Sequence, residues 1–232
     1  MDARLSPPWH PLEAVPVALL ALGSATVAAV LFNAVTGSLA WTGLLTTALY
    51  PMLLVAATIL WVTFRHPGSV SALRIRSARA TRDVVFGAWS GTGLYLIVAF
   101  AVAPLLFFLI SALAGRPVRP PRQEVLPQAA DAAQIAIAAV SVTVLAPIGE
   151  EIFFRGFLFS GIRSRLGFWA SAAISGALFA VSHAILLLMP LLFVVGVGLA
   201  WVFERRGSLV PAIAAHMAFN VIGYTFIVMM NS

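Results

Sequence analysis

Apolar residues dominate this chain in long runs, and short stretches bearing arginine, proline or glycine separate them. A helix needs about 20 apolar residues to cross a bilayer. On that measure the runs predict helices over residues 14–35, 39–64, 84–114, 131–160, 168–189 and 208–230. A further helix begins at Pro190 and ends at the sequence FERRG. The polar stretch RHPGSVSALRIRSARATRD, residues 65–83, separates the second and third helices. A proline-rich loop, GRPVRPPRQEVLPQ, separates the third and fourth. The predicted fold is all-α: a polytopic membrane helix bundle of about seven transmembrane helices, forming a single domain over residues 1–232. Its chemistry-bearing core falls at roughly 131–230. The first run is long for the core of a cleavable signal and is read as a retained helix.

Composition supports the membrane reading. Hydrophobic residues make up 61% of the 232 and charged residues only 9%, against about 25% charged in a typical soluble domain. The net charge is +6, and every basic residue is arginine. These arginines are dispersed among loops and share no polar face, so no nucleic-acid partner is expected; the partner of such a chain is the lipid bilayer. Arginine-only basic usage with abundant alanine has the composition of a GC-rich bacterium, and the expected location is a bacterial cytoplasmic membrane. There is no cysteine, which excludes disulfides and thiolate chemistry.

The arginines also orient the chain, because cytoplasmic loops collect positive charge. A cytoplasmic N-terminus puts Arg4, the five arginines of residues 65–83, Arg163, Arg165, Arg205 and Arg206 inside. It leaves only Arg116, Arg119 and Arg122 outside. The expected topology is N-in, C-out.

Arg155 belongs to no loop. It sits in the apolar sequence APIGEEIFFRG together with Glu150 and Glu151. Ionisable groups at membrane depth are costly and mark function by default. Two later helices add His183, in ALFAVSHA, and His216 with Asn220, in AAHMAFN. Glu151 and Arg155, four apart, share a helix face and can pair; Glu150 points about 100° away. Phe179 lies four residues before His183 and can pack beneath its ring. Pro147 is expected to bend the fourth helix beside the carboxylates. At 1.5 Å per residue, Glu150 lies about 16 Å from Gly161 and His216 about 14 Å from Gly207, but His183 lies about 24 Å from Gly167. The fifth helix is therefore expected to tilt or to begin within the headgroup layer.

A carboxylate, two imidazoles and an amide suit hydrolysis. The glutamate can deprotonate water, and the amide with a histidine can stabilise an oxyanion. No HExxH sequence marks a zincin. Glu150, His183 and His216 could instead supply three ligands to Zn2+ or another divalent metal, although no cofactor is required by the residues alone.

The patterns EExxxR, FxxxH and HxxxN, read from EEIFFR, FAVSH and HMAFN, resemble those of the CAAX protease and bacteriocin-processing (CPBP, or Abi) family of intramembrane endopeptidases. The resemblance implies that Glu150 and His183 activate water and that His216 and Asn220 hold the oxyanion. It further implies that Glu151 supports the site and Arg155 fixes its helix. The implied substrate is a membrane-associated peptide or protein: a prenylated CAAX-type tail, a bacteriocin precursor or a membrane-anchored protein. Two other readings stay open. A transporter or proton relay also uses Glu/His chains, and a member of this family can act as an immunity or scaffold protein without proteolysis.

Overall fold

The computed structural model describes residues 7–120 and 131–231; Arg4 and the later part of the proline-rich loop, Arg122 included, fall outside the described residues. The chain forms α1 (Ala14–Thr36), α2 (Leu39–Arg65), α3 (Ala80–Ala114), α4 (Ala132–Arg163), α5 (Phe168–Ser182), α6 (Met189–Arg206) and α7 (Leu209–Asn231). Among the described residues there is no strand. Local signals start and stop these helices. Ser38 accepts from the Trp41 amide at the head of α2. Asp131 and Gln134 exchange side-chain and backbone bonds at the head of α4, the capping-box arrangement.

Six of the helices are long and apolar enough to cross a membrane, α6 being counted with the turn Leu186–Leu188 before it. The exception is α5, and it corrects the expected span over 168–189. Its 15 residues reach about 22 Å, short of a hydrocarbon core of about 30 Å. The helix stops where side chains turn back onto its last turn: His183 Nδ1 and Ser182 Oγ both donate to the Phe179 carbonyl, each at 2.8 Å, satisfying a helix-end carbonyl. Ala184 then adopts φ 55°, a left-handed conformation that a continuing helix cannot take.

Small residues let the helices approach. A Cβ at Gly87 or Gly91 of α3 would collide with the backbone of Pro211 or Ala215 of α7. Gly149 lies against Pro51, where an added Cβ would sit 2.6 Å from its carbonyl oxygen; this brings α2 onto α4. At the centre lies α4, buried without interruption from Glu151 to Ile162. Large apolar side chains such as Val30, Phe108 and Leu113 point outward, where lipid replaces water as solvent.

Both α3 and α4 are wound wide just before a proline. Five-residue π-helical stretches, Val98–Val102 and Ser141–Leu145, precede Pro104 and Pro147. A proline ring collides with the carbonyl four residues earlier, and the wider turn relieves that collision. Hydroxyls occupy the loosened ladder: Ser141 donates to Ile137 and Thr143 to Ala139. A third such stretch, Ile152–Phe159, follows the paired glutamates. Wide turns of this kind are frequent at functional sites.

One end of the bundle gathers charge. Arg163 pairs with Glu204 at 2.9 Å, Arg206 with Asp83 at 2.6 Å, and His66 with Glu13 at 2.8 Å. The Leu209 amide donates to the Arg74 carbonyl. The N-terminal segment, residues 65–83, and the junctions on either side of the α5–α6 hairpin therefore meet on a single face.

Candidate active site

Glu151 and Arg155 are both fully buried, and Arg155 Nη1 donates to Glu151 Oε1 at 2.9 Å. The other arm of the guanidinium, Nη2, reaches the Gly196 carbonyl of α6 at 3.0 Å. The guanidinium carbon also lies 4.7 Å from the centre of the Phe179 ring. Arg155 thus joins α4, α5 and α6. Burying such a pair is tolerable only when each charge finds its partner.

The same Oε1 of Glu151 holds His216, whose Nδ1 is 2.9 Å away. A carboxylate can only accept, so Nδ1 carries the proton and donates it. This leaves Nε2 to face the other carboxylate, Glu150 Oε2, at 3.9 Å. That gap exceeds a direct hydrogen bond. Glu150 is the accessible member of the pair, with 17% of its side chain exposed against none for Glu151. Glu150 Oε2 is buried and has no hydrogen-bond partner among the described residues.

His183 joins this group through Phe179. Its ring packs 4.7 Å from the Phe179 ring, and His216 lies 5.8 Å from the same ring on an edge-to-face geometry. Because Nδ1 of His183 donates to a carbonyl, its Nε2 keeps a lone pair in the neutral form. Asn220 is placed differently. Its Nδ2 donates to the Val142 carbonyl at 2.9 Å, and the π-helical turn explains why. The Ala146 amide reaches back to Ser141, and the next residue, Pro147, has no amide to offer Val142. Asn220 fills that place, so one of its two amide hydrogens ties α7 to the bend in α4.

The ligand set suggested by sequence, Glu150, His183 and His216, is not assembled. Glu150 and His216 face each other, but among the described residues no three His, Asp or Glu side chains come close enough to hold a metal ion.

Tyr50 was not singled out by the sequence. It precedes Pro51, the contact of Gly149, and lies near enough to Glu150 to feel its charge. A tyrosine beside a proline within an apolar span was its only mark. His10 and His66 lie at the charged end of the bundle, with Glu13, and take no part in this group.

Residues 132–222, from the first residue of α4 into α7, match the family model described as "Type II CAAX prenyl endopeptidase Rce1-like". The chain is 29% identical over 139 residues to an Escherichia coli protein named "Uncharacterized 24.3 kDa protein", covering 57% of this chain and 63% of that one. It is 30% identical over 89 residues to the Bacillus subtilis protein named "Putative membrane peptidase YdiL", covering 38% of this chain and 35% of the relative. The chain thus spans less than two thirds of either relative. No solved structure matches it. The matched segment holds all three sequence patterns, and with its apolar helices the chain is a multi-pass membrane protein. Its motif-bearing segment, α4 into α7, is the part of the chain that is similar to the Rce1-like CAAX prenyl endopeptidase family.

Proposed function

We propose that this protein is an intramembrane endopeptidase that hydrolyses a peptide bond in a membrane-associated peptide or protein, with Glu150 as general base. The observation that carries the reading is the placement of Glu150 Oε2. This buried oxygen has no partner among the described residues and lies 3.9 Å from His216 Nε2. One water can touch both atoms at hydrogen-bond distance. Glu150 takes a proton from that water, and the resulting hydroxide attacks the substrate carbonyl carbon. His216 in its imidazolium form donates from Nε2 to the developing oxyanion. Glu151, bonded to Nδ1, stabilises the imidazolium and fixes its orientation, as a buried carboxylate does in hydrolytic triads. His183 offers a second imidazole nitrogen to carry the proton toward the leaving amine. Asn220 contributes chiefly by holding the α4 bend, and its remaining amide hydrogen is left for the oxyanion.

The family match supports a substrate at the membrane, and prenylated CAAX-type tails, bacteriocin precursors and membrane-anchored proteins are the classes to assay. Both relatives are bacterial, in keeping with a bacterial cytoplasmic membrane. No step is assigned to a metal, because the residues do not assemble a ligand set.

The test is Glu150→Gln in protein reconstituted into vesicles with a panel of lipidated and membrane-spanning peptides. Losing the base is expected to lower turnover by about 10²-fold or more, with thermal stability little changed because Glu150 makes no direct hydrogen bond to His216 and glutamine keeps its volume. Turnover above about a tenth of wild type would sink the assignment, since a general base contributes at least about 10²-fold.

A further inference from the structure

The longest π-helical stretch of α4, Ile152–Phe159, has three of its carbonyls held by side-chain donors, two of them from other parts of the chain. Ser175 of α5 donates to the Phe154 carbonyl at 3.2 Å, and Ser160 donates to the Arg155 carbonyl at 3.0 Å. The third donor comes from the far end of the sequence: Trp9 Nε1 reaches the Phe157 carbonyl at 2.8 Å. A tryptophan near a span end usually anchors in the lipid headgroups. Trp9 does not, because it is fully buried.

Its seat is built for it. The indole packs 5.1 Å from the Phe157 ring and 6.2 Å from His66. Gly161 leaves the space: a Cβ there would lie 3.2 Å from Trp9 Cδ1 and 3.3 Å from Nε1. Arg165 Nη1 donates to the Trp9 carbonyl. The segment following Trp9 is fastened to the end of α2, where Glu13 Oε2 accepts from Trp61 Nε1 and contacts His66 Nε2, both at 2.8 Å. Trp9 is therefore wedged between the ends of α2 and α4.

We propose that Trp9 is a positioning residue for the active site: its indole N–H clamps the π-helical register of Ile152–Phe159 and thereby sets Arg155, Glu151 and His216. The route is short. Phe157 lies two residues beyond Arg155, whose buried guanidinium holds Glu151 Oε1, which in turn holds His216 Nδ1. A turn of more than four residues is less favourable than the ordinary helix, so relaxation of 152–159 toward normal winding would rotate Arg155 relative to the glutamates. Trp9 opposes that relaxation from a point outside the site. The proposal rests on the endopeptidase reading for its kinetic consequence but not for the clamp itself.

The experiment compares full-length wild type with Trp9→Phe, which keeps an aromatic ring in the seat and removes only the donor. The lipid-exposed Trp169→Phe serves as control. Hydrogen exchange of the amides in 153–161 and the kinetics of peptide cleavage are measured on the same preparations. In Trp9→Phe, exchange across 153–161 is expected to accelerate and kcat to fall about fivefold, the equivalent of one net hydrogen bond, with KM unchanged. Trp169→Phe should change neither. Wild-type exchange in Trp9→Phe would overturn the clamp. Faster exchange with unchanged kcat would overturn its positioning role. If wild-type protein cleaves no peptide, the endopeptidase reading fails on its own, and the exchange measurement still decides the clamp.

Discussion

Replacing Arg155 by alanine removes a fully buried guanidinium from the centre of the bundle. Its guanidinium is fully buried, bonded to Glu151 Oε1 at 2.9 Å and to the Gly196 carbonyl at 3.0 Å, and it faces the Phe179 ring at 4.7 Å. Alanine leaves the Glu151 carboxylate with only His216, in a place it cannot leave and water reaches poorly. Breaking a buried ion pair by removing one partner costs about 3–5 kcal/mol. At about 2–4 °C per kcal/mol for a chain of this size, melting should fall by about 10 °C.

The loss has a signature that separates stranded charge from lost packing. Removing both charges with side chains of similar volume, as in Glu151→Gln with Arg155→Met, should restore most of the stability, because well-packed neutral replacements of buried pairs are close to neutral. Activity should stay low in that double variant, since the His216 imidazolium has lost its carboxylate. The assay is a thermal melt followed by tryptophan fluorescence in detergent, run beside peptide cleavage. A melting point for Arg155→Ala within about 2 °C of wild type would refute the reasoning. So would a double variant no more stable than the single one.

Three further outcomes follow from the packing. Gly91→Ala should destabilise by about 1–3 kcal/mol or more, because its Cβ meets the Ala215 backbone, whereas Gly23→Ala, with open space around it, should be neutral or gain up to about 1 kcal/mol; equal melting points would contradict the α3–α7 contact. Asn220→Ala should cost about 1–3 kcal/mol by leaving the Val142 carbonyl unpaired, and much less in a Pro147→Ala background, where an amide returns to the turn; simple additivity would count against this account of the bend. Single cysteines placed at Ser77 and Ser164 of this cysteine-free chain should react with an impermeant reagent from the cytoplasmic side and one at Ser232 from the outside; labelling of Ser77 and Ser232 from one side would refute the N-in, C-out reading.

The apolar runs made the helices legible, and α1, α2 and α7 begin and end close to where those runs do. What the runs could not reveal was the end of α5. Residues 178–189 read as unbroken apolar helix apart from Ser182 and His183. The stop falls where the His183 ring and the Ser182 hydroxyl bond to the Phe179 carbonyl and Ala184 takes a left-handed turn. No glycine or proline marks that place. The resulting hairpin of α5 and α6 starts and finishes at the charged face, where Arg163 meets Glu204. It therefore preserves the alternation of ends that a full seventh span would have given.

Within the site, legibility followed sequence distance. Glu151 and Arg155 pair across a single helical turn, so their spacing announces them. The contact between His216 and Glu151 crosses 65 residues, and only packing decides which carboxylate the imidazole takes. The sequence favoured neither. Pro147 pointed to a bend, but not to the carbonyl that the bend would release or to Asn220 as the residue that would occupy it. Trp9 shows the same limit more sharply. As a tryptophan ahead of an apolar run it looks like any interfacial anchor, and its contact with Phe157 spans 148 residues. The chemistry of this protein was legible wherever one helix carried it. Where the function depends on the relative setting of two helices, the deciding facts are close approaches at Gly149 and Gly161, where a single Cβ would push Pro51 or Trp9 out of place.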